Sequence, residues 1–374
     1  MRILFDIRPL LSPQRSGIPL YALRLLRQLS RQGAHELALF CNSSRFPFPA
    51  DVPPEGDRIS HHLFRYPNRL LNQSFAWTGR PRIESLAGDF DLAYLPDLNY
   101  FPTNRPYVLT VHDLASLHHP EMFSLRHRLR QRQLNLKRAL ERAAGVIAAS
   151  EHTREDLLER FDLDPKKISV VTPGVDAELY RPRTESELDP IRSRYRLPER
   201  FILFLATLEP RKNVDGLIRA FDRAETDDAW LILAGGRGWL DGRIFRTAKD
   251  AVKKDRIRFL GYIDEADKPA LYAAAAGFAY PSHYEGFGMP ALEALACGTP
   301  VIASSTTSLP EVVGDAGLLV NPEREAELSW AIGAVLHDRQ LTDRLRRAGP
   351  LRARDFGWEE SGRKLEKALT ESLP

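Results

Sequence analysis

Gly277-Phe-Ala-Tyr-Pro-Ser-His-Tyr-Glu-Gly-Phe-Gly-Met-Pro-Ala-Leu-Glu-Ala-Leu-Ala-Cys297 reads as three pieces. Gly277–Tyr280 is a short apolar strand, Pro281–Met289 a loop punctuated by glycine, and Ala291–Cys297 an apolar helix. Pro290 suits a first helical turn, where its missing N–H would have had no partner. A strand that feeds a covered helix is the repeating unit of a parallel sheet.

The same unit recurs in both directions. Upstream, the pattern places strands at Arg2–Ile7, Glu36–Cys41, Leu92–Leu95, Tyr107–Val111, Val146–Ala149 and Ile168–Thr172. In the second half it places them at Phe201–Leu205, Trp230–Ala234, Ile257–Leu260, Gly277–Tyr280, Val301–Ala303 and Leu318–Val320. Strands this continuously apolar are covered on both faces. The chain has 374 residues, beyond the roughly 250–300 at which a single core stops growing. Two sets of strands then imply an α/β protein of two Rossmann-like, doubly wound parallel-sheet domains facing a cleft, with ligands at the carboxyl ends of the strands. The polar, proline-punctuated stretch Tyr180–Pro198 marks the break, giving domains 1–182 and 183–356.

Composition narrows the function. The chain is 43% hydrophobic and 28% charged with a net charge of +3, so it is globular and poorly suited to nucleic acid, whose binding rests on phosphate neutralisation. Its 53 basic residues are 43 Arg and 10 Lys, and Arg favours bidentate phosphate recognition. Cys41 and Cys297 are the only cysteines, which excludes a disulfide scaffold and agrees with a cytoplasmic setting. Met1–Arg8 reads as a first strand, not a signal peptide. No apolar run is long enough to span a bilayer.

Two loops concentrate chemistry. In the opening stretch, Gly286 and Gly288 allow close backbone approach, and the following helix offers free amides and the positive end of its dipole to a diphosphate. Glu285 precedes that helix and Glu293 lies inside it, addressing different parts of one extended ligand. The second loop, Ala206-Thr-Leu-Glu-Pro-Arg-Lys-Asn213, follows the Phe201–Leu205 strand and opens another helix. Arg211 and Lys212 there stand beside helix amides as a second anion site. Solvated carboxylates and a surface salt bridge are the ordinary readings of each loop alone, and the pair in register argues against both.

Leu-Glu-Pro-Arg-Lys-Asn213 after a strand, with Pro281-Ser-His-Tyr-Glu-Gly-Phe-Gly-Met-Pro-Ala-Leu-Glu293 downstream, resembles the family 4 retaining glycosyltransferases of GT-B fold. The resemblance spans the chain and is most specific over 201–321. It implies that Glu285 and Glu293 are the family's two glutamates separated by seven residues. Arg211 and Lys212 would bind the diphosphate of a nucleotide sugar and stabilise the departing nucleotide. Glu285 would face the transferred sugar and Glu293 would hold the ribose hydroxyls. The amides of Gly286, Phe287, Gly288 and Met289 would contact sugar and phosphate, and Gly261 and Tyr262 would lie near the nucleobase. In the first domain, Gly17 of Ser16-Gly-Ile-Pro-Leu-Tyr21 would approach the phosphates and His112 would touch the sugar, with domain closure bringing both onto it. The last residues, 357–374, would cross back onto the first domain.

The chain departs from the pattern at Pro19 and at Ala206-Thr207-Leu208, where relatives carry a further cation. The resemblance implies transfer of a hexose to a hydroxyl of a glycan or lipid-linked acceptor, with mannose from GDP-mannose first and UDP-glucose or UDP-N-acetylglucosamine open. An epimerase of the same fold and a silent nucleotide-sugar binder are the rivals. No cofactor or metal is expected: Asp89–Asp91 and Asp162–Asp164 read as structural. Leu125–Arg142 reads as one basic helix with Leu125, Leu129, Leu136 and Leu140 on a packing stripe, its other face free to meet solvent or an anionic membrane surface. Tyr94–Tyr100, at a strand end, is the expected place for acceptor contacts.

Overall fold

The computed structural model describes residues 1–11 and 17–373; Ser16 of the expected phosphate loop lies outside them. The chain divides into two compact units. One comprises Met1–Leu114, Leu125–Pro173 and Trp358–Pro374, the other Ala115–Ser124 and Gly174–Gly357.

The first unit carries β1 (Arg2–Asp6), β2 (Glu36–Asn42), β3 (Ile59–Phe64), β4 (Leu92–Leu95), β5 (Tyr107–Val111), β6 (Gly145–Ala148) and β7 (Ile168–Val170) in the order β3-β2-β1-β4-β5-β6-β7. The second carries β8 (Phe201–Leu205), β9 (Trp230–Ala234), β10 (Ile257–Gly261), β11 (Gly277–Tyr280), β12 (Val301–Ser304) and β13 (Gly317–Val320) in the order β10-β9-β8-β11-β12-β13. All pairings are parallel. Counted within each unit, both sheets begin 3-2-1-4-5-6, the doubly wound order. The central strands are buried on both faces, as Phe201–Leu205 shows along its whole length, which is why they read as unbroken apolar runs.

Three expectations are corrected. β3 was absent from the sequence reading because Ile-Ser-His-His-Leu-Phe64 is an edge strand, only partly buried, and needs no apolar run. The Tyr180–Pro198 stretch is no linker: Tyr180 is buried and Glu185–Tyr195 forms a helix closed by a Thr184–Glu187 capping box. The units part after Pro173, and Ala115–Ser124 belongs to the second one. There Phe123 stacks on Trp239 at 5.8 Å and Trp239 Nε1 donates to Met122 O at 2.7 Å.

The basic segment is also two helices, not one. Leu125–Leu134 and Leu136–Arg142 are separated at Asn135, which takes φ 48° and caps the second helix by accepting from Arg138 N at 3.2 Å. Only Leu140 of the expected stripe is buried, whereas Leu125 and Leu129 are 64% and 48% exposed. Two leucines among alternating arginines carry too little apolar face to hold a helix down. The final helix, Trp358–Glu371, packs in the first unit and buries Leu365 and Leu369.

Candidate active site

In the second unit the loops after β8, β9, β10 and β11 all leave the carboxyl edge of the sheet. The loop after β8 makes a tight turn at Pro210–Lys212, and Asn213 takes φ 52° before the Val214–Arg223 helix starts. The loop after β9 is packed against it by backbone. Gly235 takes φ 134°, and a Cβ there would lie 1.9 Å from Ala206 O, so only glycine fits.

Arg211, Lys212 and Glu285 are brought together. Lys212 Nζ lies 2.6 Å from Glu285 Oε1 and donates to the Tyr280 hydroxyl at 2.7 Å. Arg211 Nη1 donates to Glu285 Oε2 at 3.2 Å and to Tyr284 O at 2.8 Å. Its Nη2 pairs with Glu209 Oε1 at 2.8 Å. Glu209, Lys212 and Glu285 are all buried. Two cations thus face two carboxylates in a low-dielectric setting, where each charge depends on its partners.

Burial alone would raise the Glu285 carboxyl, but Lys212 and Arg211 outweigh it and hold the group down at about 2. Lys212 is pulled below the ordinary lysine value by burial and by Arg211, with Glu285 and Glu209 offsetting part of that. The pair is therefore ionised because it is a pair.

The Glu285–Gly288 loop is held from the segment after β12. Ser308 Oγ reaches the carbonyls of Glu285 and Phe287 at 2.9 Å each, and Glu285 N donates to Thr307 Oγ1 at 3.1 Å. Gly288 takes φ 111° as the cap of the Met289–Ala296 helix, and a Cβ on it would meet Leu309 Cδ2 at 2.5 Å. Pro290 follows within the first helical turn. Positive helix ends of this kind hold anions.

Glu293 lies apart from this cluster. It is buried, accepts from the Tyr272 hydroxyl at 2.9 Å, and shares no hydrogen-bond partner with Glu285 among the described residues. Burial raises its carboxyl above the ordinary value, and the Lys268 charge and Tyr272 offset only part. Gly261 closes β10 with φ 73° and its carbonyl accepts from Gly235 N at 2.7 Å, while Tyr262 is half exposed. Gly286, Phe287 and Met289 line the same loop, with Phe287 edge-on to Phe356 at 5.6 Å.

In the first unit, Gly17 takes φ 60° directly before the Ile18–Gln32 helix. His112 follows β5, its Nε2 2.7 Å from Pro96 O and its ring edge-on to Tyr21 at 5.2 Å. Beside it, burial raises the Asp97 carboxyl while His112 and Arg130 draw it down. The aspartate runs are tied into structure: Asp91 Oδ2 accepts from Arg2 N at 2.7 Å, Asp89 pairs with Arg105, and Asp164 caps a turn by accepting from Lys166 N at 2.9 Å. No group of three metal-ligating side chains gathers among the described residues. No helix among them is long and apolar enough to cross a membrane.

Four contributors were missed in the sequence: Glu209, Tyr280, Thr307 and Ser308. Glu209 was visible inside the Leu-Glu-Pro-Arg-Lys-Asn run but had no role until its distance to Arg211 was known. Thr307 and Ser308 stand in Ser304-Ser-Thr-Thr-Ser308, whose density of hydroxyls just past a strand was the available signal.

Comparison with known proteins identifies the family. Residues 15–179 match the family model described as Glycosyltransferase Family 4, and residues 187–352 that described as Glycosyl transferases group 1. The O-antigen chain mannosyltransferase B of Escherichia coli is 34% identical, the match covering 96% of this chain and 97% of that protein. A D-inositol 3-phosphate glycosyltransferase of Salinispora tropica is 29% identical over 96% of this chain and 81% of its own. Among solved structures, the sucrose-phosphate synthase of Thermosynechococcus elongatus matches with a TM-score of 0.78 at 22% identity, covering 99% and 98% of the two chains. Anabaena HepE in complex with UDP and glucose matches at 0.74 and 22%, covering 99% and 100%. With two such sheets and this likeness along nearly its whole length, the chain belongs to the family 4 glycosyltransferases of GT-B fold.

Proposed function

We propose that this glycosyltransferase moves mannose from GDP-mannose, with retention at the anomeric carbon, to a hydroxyl of a glycan or lipid-linked acceptor. The observation that carries the reading is the buried Arg211–Lys212–Glu285 cluster beside the Gly288–Pro290 helix start. Cleavage of the bond between the anomeric carbon and the β-phosphate oxygen leaves negative charge on that phosphate. Arg211, Lys212 and the helix amides stabilise it. The acceptor hydroxyl attacks from the same face, and its proton passes to the departing phosphate. A double displacement would need a free carboxylate nucleophile, and Glu285 has both oxygens committed to cations.

Mannose is supported by the likeness to the Escherichia coli mannosyltransferase. The reaction needs no metal, since the two cations supply the charge a divalent ion would. The acceptor meets the first unit near Tyr94–Tyr100, and the protein works in the cytoplasm at an anionic membrane surface.

Thermal stabilisation by GDP-mannose, UDP-glucose and UDP-N-acetylglucosamine, with EDTA present, tests the reading. A shift with GDP-mannose alone, lost in Lys212→Ala, upholds it. A shift only with UDP sugars removes mannose, and conversion of the nucleotide sugar without acceptor replaces transfer by epimerisation.

A further inference from the structure

Tyr280 ends β11, directly before the loop that carries Glu285, and is buried. Its ring is held in place by stacking: Phe204 of β8 lies at 6.1 Å and Phe278 at 5.7 Å. A phenylalanine would fill such a place with no polar group to satisfy. The hydroxyl instead accepts from Lys212 Nζ at 2.7 Å, and the ammonium lies 5.0 Å from the ring centroid.

A lysine carries three N–H donors at the end of a flexible stem. In Lys212 one goes to Glu285 Oε1 at 2.6 Å and one to Tyr280, and the third has no protein acceptor among the described residues. Two bonds fix the rotation of the ammonium, and with it the direction of the remaining N–H. The two anchors differ in kind. Glu285 is a charged group on a loop, in competition with any phosphate for the same cations. Tyr280 is neutral, stands on a central strand and is packed between rings. Burial, and then the charge of Glu285, hold its hydroxyl well above the ordinary tyrosine value, so it stays protonated. The charged and titratable groups acting on it are Glu209 and Arg211 beside Lys212, Glu285, and Tyr272 of the Lys268–Ala274 helix.

Donors aimed in advance need no reorganisation when charge develops on the leaving group. We propose that Tyr280 is a positioning residue for the transfer. Its hydroxyl holds the Lys212 ammonium from a rigid strand, aims the third N–H at the departing phosphate, and keeps it aimed when that phosphate draws Lys212 from Glu285. The inference rests on the function above for the phosphate, and it adds a residue that touches no substrate.

A double-mutant cycle on the full chain is the test. Wild type, Tyr280→Phe, Lys212→Ala and the double variant are compared in cleavage of whichever of GDP-mannose, UDP-glucose and UDP-N-acetylglucosamine the wild type accepts. Water takes the sugar and passes its proton to the departing phosphate, and release of the nucleoside diphosphate is the readout. Tyr280→Phe keeps the stacked ring and should lower kcat by about tenfold, less than loss of the ammonium itself, with KM changed by less than about twofold. Without Lys212 there is no ammonium to aim, and the same substitution should change kcat by less than about twofold. Lys212→Met takes the place of Lys212→Ala if the latter does not fold. An unchanged kcat in Tyr280→Phe, or a loss confined to KM, overturns the proposal. An equal loss in both backgrounds also overturns it, because the hydroxyl would then act by packing and not through Lys212. If the wild type cleaves none of the three sugars, the function above falls, and the same cycle is read in calorimetric affinity for pyrophosphate. A coupling of at least about threefold between the two positions then upholds the positioning, and independent effects overturn it.

Discussion

Lys212 and Glu285 neutralise each other inside the second unit, Nζ to Oε1 at 2.6 Å, each side chain less than a tenth exposed. With Arg211 and Glu209 added, the free site holds two positive and two negative charges. Under the function proposed above, an arriving diphosphate would compete with Glu285 for the cations.

Lys212→Ala should lower kcat/KM by about 10²–10³-fold, the usual loss when one group stabilising developing charge is removed. It also leaves Glu285 with Arg211 alone, and breaking a buried pair costs about 3–5 kcal/mol. Steady-state kinetics and thermal melts on the same sample separate the two effects.

The pair should appear in the acid limb of stability. A carboxyl held at about 2 against an ordinary 4.5 contributes stability that is complete above 4.5 and lost as pH falls through 2. Urea melts between pH 5 and 2 should show that loss in the wild type and a shallower slope in Glu285→Gln. Parallel slopes would mean that Glu285 is not ionised by its neighbours.

Glu293 has the opposite sign. Its carboxyl is raised by burial, so the stability it contributes is present below the ordinary value and lost as pH rises through its own. Glu293→Gln keeps an acceptor for Tyr272 and should raise Tm at pH 7, by about 2 °C if roughly 1 kcal/mol is recovered. The same variant should bind nucleotide sugar more weakly, as measured by the ligand-induced melting shift.

Gly288→Ala forces a Cβ onto Leu309 and a side chain into a conformation with φ 111°. A cost of about 1–3 kcal/mol follows from the backbone alone. Because the strain falls at the start of the helix, KM for the nucleotide sugar should rise more than kcat falls.

Ser308→Ala removes one hydroxyl that reaches two buried carbonyls. Unsatisfied buried acceptors cost about 1–3 kcal/mol. The loop bearing Glu285 should loosen, which hydrogen exchange at the amides of 284–289 would register as lost protection.

What was legible in the sequence followed burial. Strands such as Phe201–Leu205 and Trp230–Ala234 were readable to the residue because both faces are covered and every position is apolar. Ile59–Phe64 was not, since one of its edges faces no strand and its histidines carry no pattern. Arg211, Lys212 and Glu285 could be singled out by type and spacing within their loops. That Glu285 bonds to both cations could not, because the partners lie 73 and 74 positions away. Ser308 was illegible for the same reason: its role lies in two backbone carbonyls with no sequence signature.

The placement of Ala115–Ser124 and Trp358–Glu371 bears on synthesis. The first unit cannot close its core until Trp358–Glu371 has left the ribosome. The other needs ten residues made long before the rest of it. Neither can be excised as one continuous fragment, so cutting at Pro173 would strip Phe123 from Trp239 and leave Leu365 and Leu369 without the surface they bury. Chimeras with related enzymes must exchange three segments to replace the first unit or two to replace the second, and a change in Trp358–Glu371 bears on the folding of the residues at the other end of the chain.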